Sequence, residues 1–158
     1  MKKSLDPKQI GNLTELKCIS AFYELGYSIS IPYGENSRYD FIADINSKLI
    51  RIQVKTSKAI IEDECYIFSC RSSRSTKNHT INKKYTSEEI DYFCTFIKDK
   101  CYLIPITECS TNKTLRFKKP KNNNNSNCYN LASDYELEIQ LNKLINNNLV
   151  ESKNWFMN

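Results

Sequence analysis

Residues 39–56 read YDFIADINSKLIRIQVKT, in which apolar and polar side chains alternate on both sides of a short polar break. Alternation of this kind is typical of a half-buried β-strand. The break is Asn46-Ser47, a pair that favours a tight two-residue turn. The sequence therefore predicts an antiparallel hairpin, with one strand at residues 39–45 and the next at residues 48–56.

The second strand of this hairpin has one apolar and one mainly polar face, because successive side chains of a strand point to opposite sides. One face consists of Ile50, Ile52 and Val54, and the other consists of Leu49, Arg51, Gln53 and Lys55. Asp40 lies near the start of the first strand, opposite the end of the second. The polar face of the hairpin therefore brings Asp40, Gln53 and Lys55 into one region.

These three residues offer the groups that metal-assisted hydrolysis of a phosphodiester requires. Such hydrolysis needs hard oxygen ligands that hold Mg²⁺ against a phosphate, and a further group near the attacking water or the developing charge. Asp40 offers a carboxylate, Gln53 a carbonyl oxygen and Lys55 an ammonium group. Each residue alone is more often an ordinary strand-edge or surface side chain. Their joint spacing on one hairpin favours a shared catalytic site.

The segment before the hairpin predicts a helix. Asp6 followed by Pro7, with a glutamine three residues after the aspartate, is typical of a capped helix start, and Gly26 is typical of a helix end. Apolar residues recur between them at helical spacing, at Ile10, Leu13, Leu16, Cys18, Ile19, Phe22 and Leu25. Glu15 lies on this apolar face. It either bonds a buried backbone group or Arg38, or it supplies a second carboxylate to the site.

The remaining sequence predicts more strands than helices. Strands are predicted at residues 27–31, 65–70, 92–97 and 101–104, with a short one at Leu115 and Phe117. Residues 71–84 are polar and basic without a packing period and predict a long loop. Residues 118–127, which include an asparagine run, predict another loop.

The end of the chain predicts a second long helix. It is expected at about residues 132–149, with Trp155 and Phe156 as packing anchors beyond it. The order of elements predicts an α/β (α+β) fold with a mixed central β-sheet flanked by helices. We expect a single domain over residues 1–158, with its core at about residues 6–118.

The composition favours a globular protein that stays inside the cell, in its DNA-containing compartment. No apolar run approaches the roughly 18 residues of a membrane span, and the N-terminus lacks the apolar segment of a secretory signal. The formal charge of +5 is mild support for a polyanionic partner. The seven cysteines are odd in number and irregularly spaced, which predicts buried thiols and disfavours disulfides or a zinc site. His79 is the only histidine, and no nucleophile motif surrounds it, which disfavours a hydrolase triad.

The chain resembles the PD-(D/E)XK nuclease superfamily, and within it the branch of an intron-encoded homing endonuclease that has Gln in place of the usual acid. The matching pieces are residues 15–17, Gly26-Tyr27, Pro32-Tyr33-Gly34, residues 38–40 and residues 51–56, and agreement extends through residues 77–79, Tyr85, residues 89–93 and residues 102–105. The resemblance covers roughly residues 11–120. It implies a restriction-endonuclease-like core of αβββαβ type, with the second helix near residues 86–91.

The resemblance also implies roles for the residues of the hairpin. Asp40 and Gln53 would be metal ligands, the Val54 carbonyl a possible third, Lys55 a catalytic residue and Glu15 an auxiliary ligand. The metal would be Mg²⁺, for which Mn²⁺ can substitute. Most of the superfamily has an acid where this chain has Gln53, and a neutral amide is the weaker ligand.

The sequence therefore predicts a Mg²⁺-dependent, site-specific endonuclease that cuts double-stranded DNA. A homo-oligomer, dimer or tetramer, is expected because a duplex break needs two cuts. The residues predicted to contact DNA are Arg38, Arg51, Arg71, Arg74, Lys77, His79, Lys83 and Lys84, although the stretch at residues 71–84 is equally compatible with a solvated loop. Two alternatives stay open on the same fold, a Holliday-junction-resolving or repair nuclease and a catalytically inactive DNA-binding module.

Overall fold

The computed structural model of the chain describes residues 4–34, 36–62, 64–118 and 130–155. The first described element along the chain is the α-helix α1 (Pro7–Glu24), and the last is the α-helix α2 (Leu137–Trp155). The strands between them are β1 (Ser28–Ser30), β2 (Phe41–Ile45), β3 (Lys48–Val54), β4 (Lys58–Ile61), β5 (Cys65–Ser69), β6 (Arg71–Ser75), β7 (Thr80–Lys84), β8 (Tyr92–Ile97), β9 (Lys100–Pro105) and β10 (Asn112–Arg116). Short 3₁₀ turns occupy Ile106–Glu108 and Ala132–Tyr135.

Helix α1 begins and ends as its sequence predicts. The Asp6 carboxylate accepts a hydrogen bond from the Gln9 backbone N–H at 2.9 Å, and the Gln9 side chain accepts one from the Asp6 N–H at 3.0 Å. This reciprocal pair satisfies two donors at the helix start, and Pro7 occupies the first helical turn, where no N–H is needed. After the helix, Gly26 adopts a φ of +85°, which glycine accepts without steric cost.

The central sheet has the strand order β1-β2-β3-β8-β9 and is mixed, as predicted. Strands β3 and β8 are parallel, whereas the other neighbours are antiparallel. The β2–β3 hairpin turns at Asn46 and Ser47, which both adopt a positive φ, 52° and 71°. Two successive positive φ values match the right-handed twist of the flanking strands. The hairpin predicted from residues 39–56 is therefore confirmed.

The prediction of a loop at residues 71–84 is wrong. Strands β6 and β7 form an antiparallel ribbon in register from Arg71↔Lys84 to Ser75↔Thr80, and the Thr76 hydroxyl donates to the His79 carbonyl at 2.7 Å to close its turn. Every described side chain of β7 is exposed. A ribbon that packs neither face on a core has no reason to alternate polar with apolar residues, and the sequence therefore lacks the signal of a strand.

Three other elements differ from the predictions. The helix expected near residues 86–91 is a single turn, in which the N–H groups of Glu89 and Ile90 donate to the Thr86 carbonyl. Strand β4, which was not predicted, pairs with β5 in a second sheet of order β10-β5-β4. The C-terminal α-helix begins at Leu137, later than expected, after a 3₁₀ turn. Apart from Lys118, the predicted loop at residues 118–127 lies outside the described residues, as does Phe156. Trp155 ends α2, and its side chain lies outside the described part.

The core has a cluster on each face of the central sheet. One cluster packs β2, β3, β8 and β9 against α1 and α2, and it includes Phe22 and Phe41, whose ring centroids are 5.5 Å apart. The other packs β8 and β9 against β5 and β10, and it includes Phe68 and Leu115. Neighbouring residues of β8 pack in different clusters. Cys94 packs in the cluster that contains Phe22, and Phe93 packs in the cluster that contains Phe68. None of the described helices is long and apolar enough to span a membrane.

Candidate active site

Asp40 directly precedes β2 and lies against the end of β3. Its backbone N–H donates to the Ile52 carbonyl at 2.8 Å, which extends the β2–β3 ladder by one residue. One carboxylate oxygen, Oδ2, accepts two hydrogen bonds of 2.6 Å, from Gln53 Nε2 and from the Val54 backbone N–H. The hairpin register thus fixes the Asp40 carboxylate beside the residues predicted to share its site.

The Asp40 carboxylate is partly buried and therefore partly desolvated. Burial raises the pKa of its carboxyl group, and the hydrogen bond from the Val54 N–H, the charge of Lys55 and the hydrogen bond from Gln53 oppose that rise. A carboxylate held out of water gains more from a nearby cation than an exposed one does. The position therefore favours the binding of positive charge.

The Gln53 side chain donates hydrogen bonds to two oxygen atoms of this region. Its Nε2 donates to Asp40 Oδ2 and also to the Val54 carbonyl oxygen at 3.2 Å. A single donor group thus contacts two oxygens from different residues. A carboxylate, a backbone carbonyl and a side-chain amide form a donor set that fits a hard divalent cation, because Mg²⁺ and its analogues take oxygen ligands of these kinds.

Glu15 faces the same region from helix α1. It is half-buried, and together with Asp40 it lines a cleft of about 290 Å³. The other lining residues are Ile31, Pro32, Gly34, Ser37 and Tyr39. Burial raises the pKa of Glu15, and the negative charge of Asp40 raises it further. The helix is held here by buried Thr14, whose hydroxyl lies 3.1 Å from that of Thr56 just after β3. The predicted site residues on the helix and on the hairpin are therefore brought together.

Lys55 follows β3 and points toward the β6–β7 ribbon. Its ammonium donates to the Arg71 carbonyl at 3.1 Å and to the Tyr85 hydroxyl at 3.3 Å, and it lies 4.9 Å from the centre of the Tyr85 ring. Burial lowers the pKa of Lys55, and the charge of Asp40 opposes this effect. Lys55 is thus a partly desolvated cation beside the candidate ligands.

Tyr85 and Arg38 link the ribbon to the site. The sequence suggests a structural role for Tyr85, in holding residues 71–84, and DNA contact for Arg38, but it does not indicate the contacts of either residue with the site. The guanidinium of Arg38 lies 4.0 Å from the Tyr85 ring centre and donates to Glu89, to Ser72 at 2.7 Å and to the Lys84 carbonyl at 3.0 Å. These partners are 34 to 51 residues away in sequence, so no local pattern could reveal them.

The residues predicted to contact DNA fall into two groups. In the first group the basic side chain is already bonded within the molecule. Arg51 pairs with Asp91 at 2.9 Å and Lys83 pairs with Glu89 at 2.8 Å. Arg71 donates to the Thr111 hydroxyl at 2.9 Å, and Arg38 has the hydrogen-bond partners given above. The second group is exposed, and within the described part of the chain its side chains have no hydrogen bond or ion pair. It consists of Arg74, Lys77, His79 and Lys84. The ribbon therefore carries a set of available basic side chains.

Comparison with known proteins identifies a family and a similar fold. A family model described as PD-(D/E)XK endonuclease matches residues 5–138. Among solved structures, the bacterial homing endonuclease I-Ssp6803I superimposes with a TM-score of 0.68, covering 89% of this chain and 97% of that chain at 16% identity. At such low identity the likeness shows the fold alone, and it confirms the predicted restriction-endonuclease-like core. No curated protein matches the chain in sequence.

Proposed function

The chain belongs to the PD-(D/E)XK endonuclease family, and from this membership we propose that it is a divalent-metal-dependent endonuclease that hydrolyses phosphodiester bonds of double-stranded DNA. The observation that carries the proposal is the convergence of Asp40, Gln53, the Val54 carbonyl and Lys55 at the end of β3. The family resemblance assigns its chemistry to these positions, and the donor set suits that chemistry.

The proposed cation is Mg²⁺, which Mn²⁺ can replace. Asp40 and the Val54 carbonyl would hold the cation. A flip of the Gln53 side-chain amide would present Oε1 to the cation in place of Nε2. Glu15 would serve as an auxiliary ligand, directly or through water. When bound, such an ion activates water and offsets the charge of the scissile phosphate.

Lys55 would act on the reacting phosphate. Its ammonium group can donate to the attacking water or to a phosphoryl oxygen, whose negative charge increases in the transition state. Partial burial strengthens that interaction, since less solvent competes with it. In the present arrangement the same ammonium donates to Arg71 and Tyr85, and a substrate oxygen would take the place of one of these acceptors.

The β6–β7 ribbon is the proposed contact with the DNA backbone. Arg74, Lys77, His79 and Lys84 would bind phosphates, as basic side chains on exposed ribbons can. Arg38 and Arg51 remain candidate contacts, but each would first have to exchange an internal partner. We further propose a homo-oligomer, dimer or tetramer, because one small site cuts one strand and a duplex break needs two.

The natural substrate is proposed to be a specific DNA site, as the description of the structural neighbour as a homing endonuclease suggests. A junction-resolving or repair nuclease is the alternative enzyme on this fold, since fold does not separate these activities. A catalytically inactive DNA-binding module is the alternative outside the enzyme class, and Gln53 in place of an acid is the feature that favours it.

The test is a cleavage assay with Mg²⁺ or Mn²⁺ on supercoiled plasmid, AT-rich genomic DNA and a four-way junction. Asp40→Asn and Lys55→Ala are expected to lower cleavage by roughly 10²–10³-fold while DNA binding is kept. Lys58→Ala and Glu24→Gln, exposed residues of β4 and α1, are matched controls that should cut like the parent.

Each outcome selects one of the hypotheses. Preference for the junction would favour the resolving nuclease, and discrete duplex fragments would favour a site-specific enzyme. Cleavage by both site variants at the parent rate would refute the site assignment. Metal-independent binding without cleavage of any of the three substrates would favour the inactive module.

A further inference from the structure

Three cysteines meet in the core between α1 and the β8–β9 pair. Cys18 comes from α1, Cys94 from β8 and Cys101 from β9, and they are 0%, 0% and 7% exposed. Their three sulfur atoms all lie within 4.8 Å of one another, and the sulfurs of Cys94 and Cys101 are 3.2 Å apart. In the described part of the chain, this is the one such gathering of three or more Cys, His, Asp or Glu ligand atoms.

We propose that Cys18, Cys94 and Cys101 form a binding site for a soft, thiolate-preferring metal ion of the zinc group. Thiolate sulfur selects such ions over Mg²⁺, which prefers oxygen. Three sulfurs bound to one ion at a Zn–S distance of about 2.3 Å lie about 3.8 Å from one another. The separation of 3.2 Å between the sulfurs of Cys94 and Cys101, and the limit of 4.8 Å on all three separations, lie on either side of this value.

The cluster lies next to the molecular surface at Cys101. Two surface clefts of about 340 and 350 Å³ both reach this residue, and Ala21 and Glu24 line both of them. The cleft walls include the acidic residues Glu24, Asp99, Glu136 and Glu138. Negative charge at the mouth attracts cations even though the chain as a whole is basic.

Binding converts three thiols to thiolates. One divalent ion enters, three S–H bonds break, three metal–sulfur bonds form and three protons leave to solvent, which gives the site one net negative charge. Lys17 lines one of the clefts that reach Cys101 and can offset that charge, whereas Lys100 in the other cleft already pairs with Glu136 at 2.9 Å. Water from the clefts can complete a tetrahedral shell. Since the elements that supply the ligands are α1 and the β8–β9 pair, a bound ion would fasten the helix to the sheet.

The first experiment titrates the reduced, metal-free full chain with Cd²⁺ as the probe. Native mass spectrometry should detect one ion per chain, and ultraviolet absorption should show the thiolate-to-cadmium band. Cys101→Ala should weaken binding at least tenfold, whereas Cys109→Ala, which removes a thiol outside the cluster, should keep it. Circular dichroism checks that both variants fold.

A second measurement does not depend on a variant. X-ray absorption of the zinc-loaded parent chain should give three sulfur neighbours, and Zn²⁺ should raise the melting temperature because it binds the folded state. A shell with one sulfur or none, no uptake by the parent, or equal Cd²⁺ binding by Cys101→Ala and Cys109→Ala would overturn the site. The three cysteines would then be apolar core side chains only.

Discussion

Gln53 holds the candidate ligands together through donated hydrogen bonds, which an acid at this position could not supply. Its amide nitrogen contacts Asp40 and the Val54 carbonyl. In Gln53→Glu these bonds are lost and a second negative charge lies beside Asp40, which raises the pKa of Asp40 further. We expect the free energy of unfolding of the metal-free protein to fall by about 1–3 kcal/mol. Added Mn²⁺ should raise the melting temperature of this variant more than that of the parent.

Thermal unfolding with and without Mn²⁺ measures both effects. Gln9→Glu is the matched control, because an acid at the third position of α1 can keep the reciprocal cap. Its response to Mn²⁺ should equal that of the parent. If Gln53→Glu and the parent gave the same Mn²⁺-induced shift, Gln53 would not be a metal ligand.

Tyr85 is expected to tune Lys55 by accepting a hydrogen bond from its ammonium group. Burial already lowers the pKa of Lys55, and loss of an acceptor that favours the charged form lowers it further. If the ammonium form is the active one, cleavage falls as Lys55 loses its proton at high pH. In Tyr85→Phe the alkaline limb of the rate profile should therefore move to lower pH.

The pH dependence of kcat/KM for metal-dependent cleavage tests this prediction. The phenylalanine ring can keep its contacts with Arg38 and Phe93, so the fold should be retained. Tyr27→Phe, which changes a tyrosine packed against the first core cluster, should leave the profile unmoved. An unmoved alkaline limb in Tyr85→Phe would mean that the hydroxyl does not tune Lys55.

Glu89 helps to attach the β6–β7 ribbon to the rest of the molecule, beside the contacts of Lys55, Arg71 and Arg38. Hydrogen bonds from Lys83, Arg38 and the Thr86 N–H lower the pKa of Glu89 to about 2. A lowered pKa means that the stabilisation is full at neutral pH and is lost as the pH falls from the usual glutamate range, about 4.3, toward 2. Because Lys83 is 64% exposed, added salt should weaken its share.

Glu89→Gln should therefore loosen the ribbon at neutral pH without unfolding the core. Amide hydrogen exchange of Arg71–Ser75 and Thr80–Lys84 should accelerate, while exchange in β8 stays slow. Glu88→Gln, a change at the neighbouring exposed acid, is the control. Equal exchange of the ribbon in both variants would show that Glu89 does not anchor it.

Substitutions in the β6–β7 ribbon test DNA binding separately from cleavage, through the salt dependence of the affinity. Each phosphate contact contributes about 0.9 to the slope of log affinity against log salt. Arg74→Ala and Lys77→Ala should each lower that slope by about this amount, whereas Lys143→Ala on α2 should not. Unchanged slopes for both ribbon variants would remove the ribbon from the proposed DNA surface.

The sequence predicts those elements that contact the core. The β2–β3 hairpin alternates against one cluster, whereas β8 and β9 are nearly continuous apolar runs because both of their faces are buried. Each hairpin turns through two residues with positive φ, the second at Lys98 and Asp99. The β6–β7 ribbon and β4 are exposed, so their strand pairing leaves no mark on the pattern. In α1 the apolar residues occur all round the helix, and Leu13 and Leu16 are exposed while Cys18 and Phe22 are buried.

The site follows the same rule. Asp40, Gln53 and Lys55 were predicted because a hairpin register places them together, and that register is local. The contact of Tyr85 with Lys55 has no such local signal, because it spans 30 residues and depends on how the ribbon folds back. Side chains that support a site from distant segments follow from the fold and from no short pattern.

At the scale of the whole molecule, the central sheet connects the two core clusters. Strands β8 and β9 send alternate side chains into both, with Cys94 and Leu103 on one face and Phe93 and Ile104 on the other. Disruption of one cluster therefore removes support from the sheet that the other needs. We propose on this ground that the chain folds as one cooperative unit.

Two truncations test that proposal from opposite faces of the sheet. Phe22→Ala removes a fully buried ring from the cluster that contains α1 and should cost about 3–5 kcal/mol, and Leu115→Ala in the other cluster about 2–5 kcal/mol. Each variant should still unfold in one transition, with coincident curves from far-ultraviolet circular dichroism and tyrosine fluorescence. Tyr23→Ala, at a position 72% exposed, should change stability by no more than about 0.5 kcal/mol. Two separate transitions in either core variant would mean that the clusters fold as independent units, and would refute the proposal that the shared sheet couples them.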